Sequence, residues 1–154
     1  MTRTTFADMD CSVARTLDVV GERWTLLILR DAFNGIRRFD DFQRSLGVAR
    51  NILADRLAKL VDNGVLERRR YEDHPPRHEY RLTAKGRALF DVLVAMMHWG
   101  DTYESGAFGP PVTLRHDDCG QLVHAVPTCS HCGGTLTPFN VETQTVRQAA
   151  AATA

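Results

Sequence analysis

Residues 47–71 constrain the fold of this chain more than any other stretch, because their apolar spacing changes from helical to strand-like. The first apolar residues recur at i, i+4, i+7 and i+8, which is the spacing of one helix face. These residues are Leu53, Leu57, Leu60 and Val61. Asn63-Gly64 ends the pattern, since glycine readily adopts the left-handed conformation that closes a helix. The stretch predicts an amphipathic helix packed on a core and followed directly by a strand.

A shorter helical pattern precedes this stretch, running from Phe39 to Leu46 and ending at Gly47. Asp40 and Asp41 lie in its first turn, where the helix dipole favours negative charge, so we interpret the pair as capping rather than as catalytic carboxylates. Two helices joined by a short turn are typical of a helix-turn-helix. In that motif the second helix enters the major groove of DNA through its first residues.

The outward face of the second helix carries the side chains that we expect to contact DNA. Asn51 can donate to and accept from adenine, and Asp55 can accept from cytosine or orient an arginine. Arg50 and Arg56 can reach guanine or phosphate, and the flank position of Arg56 favours phosphate. Lys59 lies on the same outward face as Asn51.

Two strand-like runs around a Pro-rich segment predict a β-hairpin, or wing, after this helix. The runs cover Val65–Tyr71 and Glu79–Thr83, and residues 72–78 form the predicted tip. We expect Arg77 at the tip to enter the minor groove, where arginine responds to groove width. The cationic residues predicted to follow the phosphates are Arg68, Arg70 and Arg77, together with His74 and His78.

The distribution of charge agrees with a DNA contact in this region. The chain as a whole has zero net charge, but residues 37–87 hold 13 of its 19 Lys and Arg and only 8 of its 19 Asp and Glu. The segment therefore carries +5 and the remainder −5. A local basic surface suits phosphate binding, whereas the alternative is an ordinary solvated surface.

Helices are also predicted at both ends of this region. Ser12 is the predicted N-cap of a first helix that ends at Gly21, and Thr83 is the predicted N-cap of one long helix that runs past Trp99. The last helix carries a wide apolar stripe formed by Leu89, Val92, Leu93, Met96 and Met97. We interpret the stripe as core or homodimer packing, and the alternative is a methionine-lined effector pocket.

An ordered series of motifs between residues 11 and 109 resembles the HxlR type of winged helix-turn-helix transcription regulator, which is related to the MarR group. The series comprises Cys11-Ser12-Val13, Gly21-Glu22-Arg23-Trp24-Thr25, Arg38-Phe39, Asn51-Ile52-Leu53, Arg56-Leu57, Gly64-Val65-Leu66, Tyr71, Pro75-Pro76-Arg77-His78-Glu79-Tyr80, Leu82-Thr83, Gly86 and Trp99-Gly100. The order and spacing of the whole series make the resemblance specific. One departure is Ala49, where relatives often have a serine that caps the helix.

The resemblance implies a mainly α fold with a small β-hairpin wing. It also implies a bacterial or archaeal repressor or activator that binds a pseudo-palindromic operator as a homodimer. In several members a cysteine at the position of Cys11 senses oxidants or electrophiles, which makes Cys11 a candidate thiol sensor. Its place at a helix N-terminus favours the reactive thiolate, whereas neighbouring Asp10 opposes it, and an inert buried thiol is the alternative.

A Gly/Pro-rich break at residues 106–111 separates this region from a C-terminal segment that contains four soft metal ligands. The pattern is His-x2-Cys, nine residues, then Cys-x2-Cys, and it comprises His116, Cys119, Cys129 and Cys132. A glycine follows the second ligand of each pair, as in a zinc knuckle. Two such pairs suit tetrahedral zinc in a closed structural site, with His124 or His131 as alternatives to His116. We therefore predict a small zinc-ribbon-like β module, and the alternative is the same Cys pattern without bound metal.

The predicted organisation is a flexible arm (1–10), a DNA-binding and dimerisation domain (11–109), the zinc-ribbon-like module (112–139) and a flexible tail (140–154). No apolar run reaches the length of a membrane span, and the N-terminus lacks the apolar stretch of a signal peptide. We therefore expect a cytoplasmic protein that does not enter a membrane.

We expect a sequence-specific transcription regulator whose partners are double-stranded DNA, a second copy of the chain and a small-molecule or oxidant effector. The alternative is a protein-interaction module without sequence-specific DNA binding. An enzyme is disfavoured because the sequence lacks Gly-x-Ser-x-Gly, His-Glu-x-x-His, a phosphate loop and a dinucleotide fingerprint.

Overall fold

The computed structural model describes residues 5, 6 and 8–144, and the chain divides into two compact units, Met1–Met96 and Met97–Ala154. The helices of the described part are α1 Ser12–Val20, α2 Thr25–Phe33, α3 Phe39–Leu46, α4 Arg50–Asp62, α5 Ala84–Arg87, α6 Phe90–Tyr103 and a 3-10 helix Gly106–Phe108. Its strands are β1 Leu66–Asp73, β2 Pro76–Leu82, β3 Leu114–Arg115 and β4 Leu122–Val123. The first unit is the predicted arrangement of helices with a β-hairpin wing.

The predicted terminal segments fall partly outside the described residues. Residues 1–4 and 7 of the predicted arm and residues 145–154 of the predicted tail are among those that the structure does not describe. Within the arm, the Phe6 amide donates to both carboxylate oxygens of Asp18 at 3.1 and 3.2 Å, which ties this part of the arm to α1.

The core of the first unit is built on the apolar stripe of α4. Leu53, Leu57 and Leu60 are completely buried, as the helical spacing predicts, and Val61 packs against them while partly exposed. Their neighbours come from α2, α3 and the start of the wing and include Ile28, Leu29, Phe42, Val65 and Leu66. Burying each of these large side chains stabilises the fold by about 1.5–3 kcal/mol.

The turn between α3 and α4 is short because Gly47 adopts a left-handed conformation, with φ of 63°. Its amide donates to the Gln43 carbonyl at 2.9 Å, and the next side chain, Val48, is buried in the core. Ala49 occupies the N-cap of α4, and no side chain caps this helix. The absence of a side-chain cap, which Ala49 suggests, is therefore observed in the structure.

The wing is a longer hairpin than the sequence suggests. Strands β1 and β2 pair antiparallel from Leu66 opposite Leu82 to Asp73 opposite Pro76, so only His74-Pro75 lies outside them. The prediction of a tip spanning 72–78 is wrong, because proline is tolerated at the end of an edge strand. Arg77 lies in β2 opposite Glu72 rather than in the tip.

The predicted single last helix is wrong, since the structure has α5 and α6 with a break between them. Thr83 caps α5 as predicted, and its hydroxyl accepts from the Gly86 amide at 3.1 Å. The Leu89 amide then donates to the Gly86 carbonyl at 3.1 Å, which makes a tighter turn than an α-helix. Gly86 lies against the backbone of Val65, where a Cβ would come within 2.1 Å of the carbonyl oxygen.

The prediction of Ser12 as the first N-cap is wrong by one residue, because Cys11 occupies the N-cap of α1 and Ser12 is the first helical residue. Helix ends often differ by one residue from the position that a sequence pattern suggests.

The second unit has little regular structure and no buried side chain among residues 97–144. Strands β3 and β4 form a short antiparallel pair, and Thr128 forms an isolated bridge with Thr135. Among the described helices, none combines the length and the hydropathy needed to cross a lipid bilayer.

Replacing Gly86 with alanine is expected to lower the free energy of unfolding by about 1–3 kcal/mol, because the added methyl group would overlap the Val65 carbonyl and force the two backbones apart. Urea unfolding followed by circular dichroism measures this change. Gly100→Ala is the matched control, since a Cβ there meets no atom within 4 Å and alanine favours a helix by about 1 kcal/mol. Equal stability of Gly86→Ala and the wild type would contradict the close backbone contact.

Candidate nucleic-acid interface

The first turn of α4 presents two of the predicted DNA contacts to solvent. Asn51 is exposed, and its side chain makes no hydrogen bond to another described residue. Arg50 is also exposed, but α3 holds its guanidinium: Nη1 donates to Asp40 Oδ1 at 3.0 Å and to Gln43 Oε1 at 2.8 Å. The guanidinium carbon lies 4.7 Å from the centre of the Phe39 ring. Arg50 is therefore oriented at the start of α4 before any DNA is bound.

The two acidic residues in the first turn of α3 pair with arginines in addition to interacting with the helix dipole. Asp40 accepts from Arg50, and Asp41 pairs with Arg44 at 3.2 Å. Each carboxylate thus orients an arginine at the edge of the helix-turn-helix.

Glu22, Asp55, Arg56 and Lys59 form one ion-pair cluster, which we call the Glu22 network. Lys59 Nζ lies 2.8 Å from Glu22 Oε1 and 2.9 Å from Asp55 Oδ2. Arg56 pairs with both Glu22 and Asp55. Glu22 precedes α2, so the network joins the region before α2 to the middle of α4.

The Glu22 network changes the picture of three predicted DNA contacts. The Arg56 side chain is only 18% exposed, and its Nε is buried without a hydrogen-bond partner among the described residues. Asp55 and Lys59 are more exposed than Arg56, but they already form ion pairs with each other and with the other members of the network. A DNA contact by any of the three stays a prediction, while their tethering of α4 is evident from the ion pairs.

Electrostatics within the network follow from its alternating charges. The hydrogen bond from Lys59 lowers the pKa of Glu22 and, in the same way, the pKa of Asp55. Hydrogen bonds to Glu22 and then to Asp55 raise the pKa of Lys59. Glu22, Asp55 and Lys59 therefore keep their charges over a wider pH range than they would in isolation.

The arginines of the wing are exposed but already paired with nearby acceptors. Arg77 Nε lies 3.3 Å from Glu72 Oε2, and Arg70 Nε lies 3.0 Å from Asp73 Oδ1. Arg68 Nη2 lies 3.0 Å from Nδ1 of His78. Desolvation, followed by the charges of Arg68 and Arg70, lowers the pKa of His78.

A second cationic surface lies beside α3, and the sequence pattern did not single it out as a site. Arg37, Arg38 and Arg44 line a groove of about 600 Å³ together with Asp41 and Glu79. The groove exists because the segment before α3 pairs with β2 through the Arg38–Glu79 bridge and a 2.7 Å hydrogen bond from the Tyr80 amide to the Arg37 carbonyl. The positive charge of residues 37–87 was the only sequence signal for it.

The four predicted zinc ligands are brought together in two pairs. Nδ1 of His116 lies 3.3 Å from Sγ of Cys119. In the other pair, the amides of Cys132 and then His131, followed by the Cys132 side chain, lower the pKa of Cys129. The described residues include no group of three or more His, Cys, Asp or Glu that could hold a metal ion, so zinc stays a prediction.

Cys11 lies at the N-cap of α1 with a partly buried side chain and a free thiol. Its role as a thiol sensor stays a prediction.

The fold and these sites have counterparts among known proteins. A family model described as HxlR-like helix-turn-helix matches residues 19–107. A protein of Mycobacterium tuberculosis, named as an uncharacterised HTH-type transcriptional regulator, is 52% identical over 132 residues, which cover 84% of this chain and 82% of the relative. The match covers 84% of this chain, whereas residues 1–107 make up only about seven-tenths of it. The similarity to this relative therefore extends into the segment after residue 107.

Two solved structures are similar to this chain. The crystal structure of PA1607, described as a candidate transcription factor, aligns with a TM-score of 0.79 at 44% identity and covers 88% of this chain and 94% of that chain. The redox regulator HypR in its reduced form aligns with a TM-score of 0.57 at 32% identity, covering 60% of this chain and 92% of that chain.

Replacing Glu22 with glutamine is expected to lower the free energy of unfolding at pH 7 by roughly 0.5–1 kcal/mol, because the charges it pairs with are only partly shielded from solvent. The folded-state pKa of Glu22 lies below 4.5, so the carboxylate stabilises the fold above that pH and this contribution is lost as the pH falls through the folded pKa. Urea unfolding at a series of pH values from 7 to about 3 should show the difference between variant and wild type disappearing.

Glu104→Gln serves as the control for this experiment, because Glu104 is exposed and makes no ion pair with a described residue. A loss in Glu22→Gln that persists unchanged at low pH would show that packing, rather than charge, accounts for it.

Proposed function

The chain belongs to the HxlR-like helix-turn-helix family, and on that basis we propose that it is a DNA-binding transcription regulator that acts as a homodimer on a pseudo-palindromic operator. The observation that carries the proposal is the solvent exposure of Arg50 and Asn51 on the first turn of a helix whose opposite face is buried in the core. A regulator of chromosomal genes acts in the cytoplasm of a bacterial or archaeal cell.

Base recognition is assigned to Asn51 and Arg50. An asparagine amide can bond to both N6 and N7 of adenine, and an arginine can bond to O6 and N7 of guanine. Contacts with Asp40, Gln43 and Phe39 limit the conformations of Arg50, so little side-chain entropy is lost when it meets a base.

Phosphate binding is assigned to Arg68, Arg70 and Arg77 of the wing. Arg70 and Arg77 each lie beside a carboxylate of the same hairpin, so binding DNA exchanges an exposed ion pair for a phosphate contact. Exposed ion pairs contribute little to stability, so breaking them requires little free energy. Release of counterions from the DNA favours the phosphate contact.

Dimerisation is assigned to the apolar residues that α6 leaves exposed. Phe90, Val92, Met96, Trp99 and Tyr103 are 37–68% exposed in the single chain. A second copy that covers this helix would remove the residues from water and set two α4 helices about 34–36 Å apart, one turn of the duplex. An effector that acts through Cys11, or through a ligand against the last helix, stays a prediction.

Two single substitutions separate base reading from phosphate binding. Asn51→Ala is expected to weaken binding to the operator by about 5- to 100-fold and to relax sequence preference, because it removes a base contact. Arg77→Ala should weaken specific and non-specific duplexes alike and reduce the slope of log affinity against log salt by about one. Fluorescence anisotropy with operator fragments selected from genomic DNA, repeated at several salt concentrations, measures both effects.

Arg15→Ala is the control, because Arg15 is an exposed arginine of α1 whose side chain, within the described part of the chain, bonds to Asp10 and Ser12. Undiminished binding by both Asn51→Ala and Arg77→Ala would rule out this docking mode. A wild-type protein with no salt-dependent duplex affinity that instead captured a protein through residues 112–139 would favour the interaction module.

Met96→Asp is expected to convert the dimer to a monomer at micromolar concentration, because it places a charge within the apolar surface of α6. Sedimentation velocity measures the change, and operator affinity should fall with it. Val112→Asp also adds a charge at an exposed apolar position, but outside α6, and should leave the dimer intact. A folded Met96→Asp variant that remained dimeric would place the interface elsewhere.

A further inference from the structure

Two turns in the second unit have the same backbone geometry. In the first, the Gly120 amide donates to the His116 carbonyl at 2.7 Å, and the His116 amide donates to the Gln121 carbonyl at 2.9 Å. This turn connects β3 to β4, whose strands pair immediately before and after it.

The second turn repeats this pattern at the same spacing. The Gly133 amide donates to the Cys129 carbonyl at 2.9 Å, and the Cys129 amide donates to the Gly134 carbonyl at 2.7 Å. The bridge between Thr128 and Thr135 closes it, as the β3–β4 pair closes the first. Both turns are therefore the same structure built from different residues.

This correspondence assigns equivalent positions. Gly120 and Gly133 occupy the same place and have left-handed φ values of 69° and 73°. His116 corresponds to Cys129, and Cys119 corresponds to Cys132, so each turn carries metal-binding side chains at its first and fourth positions. The two side chains of the first turn already lie together, at 3.3 Å between Nδ1 and Sγ.

We propose that the two turns bind one zinc ion through His116, Cys119, Cys129 and Cys132. One nitrogen and three sulfur ligands, supplied as two chelating pairs, match the tetrahedral preference of Zn²⁺. Binding displaces the thiol protons, because cysteine coordinates zinc as the thiolate. Among the described residues the two pairs do not form one group of ligands, so binding of the ion requires the two turns to approach each other.

The geometry also selects His116 from the three neighbouring histidines. His131 lies inside the second turn, at the position that Asp118 occupies in the first, and not at a ligand position. His124 follows β4 and stacks on His98, with ring centroids 4.4 Å apart. The sequence pattern alone leaves all three as candidates.

The composition of the unit supplies a physical reason for a metal. Residues 97–144 contain no buried side chain, and its apolar residues Leu122, Val126 and Phe139 are 48–97% exposed. A segment that cannot bury a core needs another source of stability, and a structural metal is a common one. Four protein ligands leave no open position on the ion, so its role is structural and independent of the proposed DNA binding.

Full-length protein, purified under reducing conditions, is titrated with Co²⁺ and with Zn²⁺, and bound metal is counted by mass spectrometry after gel filtration. One ion per chain is expected, with the visible absorption of tetrahedral cobalt coordinated by thiolates. His116→Gln should weaken zinc affinity by more than about tenfold, as should Cys132→Ser, because each loses a ligand. His131→Gln and Cys11→Ser are matched controls that should bind within about twofold of the wild type.

The wild-type cobalt titration needs no variant, so misfolding of Cys132→Ser would not affect that result. Less than stoichiometric metal in the wild type under reducing conditions would overturn the proposal. A preserved site in His116→Gln together with a lost site in His131→Gln would overturn the assignment of ligands. Operator binding retained by a metal-free protein would leave the regulator function intact, which keeps the two proposals distinguishable.

Discussion

Burial of the α4 stripe is the constraint on which the rest of the first unit depends. Leu53, Leu57 and Leu60 have no exposed surface, and their contacts come from α2, α3 and the start of β1. A helix that buries one face this completely cannot rotate about its axis without losing several kcal/mol of packing. The rotation of α4 is therefore fixed, and with it the direction in which Asn51 and Arg50 point. In the proposed mode of DNA binding, packing in the core would therefore set the orientation of the recognition residues.

Local spacing predicted much of this arrangement, and distance along the chain explains most of what it missed. The α4 stripe, the end of α3 at Gly47 and the Thr83 cap all depend on neighbours within a few residues, so the sequence predicts them directly. Glu22 reaches Lys59 across 37 positions, and no periodicity encodes such a contact. The close approach of Gly86 to the carbonyl of Val65 is likewise a contact between residues distant in sequence. Sequence patterns identified Arg50 and the arginines of the wing but not the carboxylates that pair with them.

The cations of the candidate interface pair with carboxylates, and the net charge of the chain does not show this. Arg50, Arg70 and Arg77 each form an exposed ion pair with a carboxylate. Arg56 and Lys59 belong to the Glu22 network, and their ion pairs are less exposed to solvent. The exposed pairs can exchange their carboxylate for a phosphate at little cost, whereas the shielded pairs are more strongly fixed. The surface therefore separates cations in exposed ion pairs, which the proposed function assigns to DNA, from less exposed cations that hold α4 in place. Chain-wide neutrality is compatible with both roles.

Ala49 leaves the first amides of α4 without a side-chain acceptor, at the end of the helix that carries Asn51. A helix start of this kind has a partial positive charge and is held less firmly than a capped one. A phosphate oxygen at that end can accept from the same amides and so complete the helix. In the proposed complex the duplex would thus supply the acceptor that the Ala49 side chain lacks.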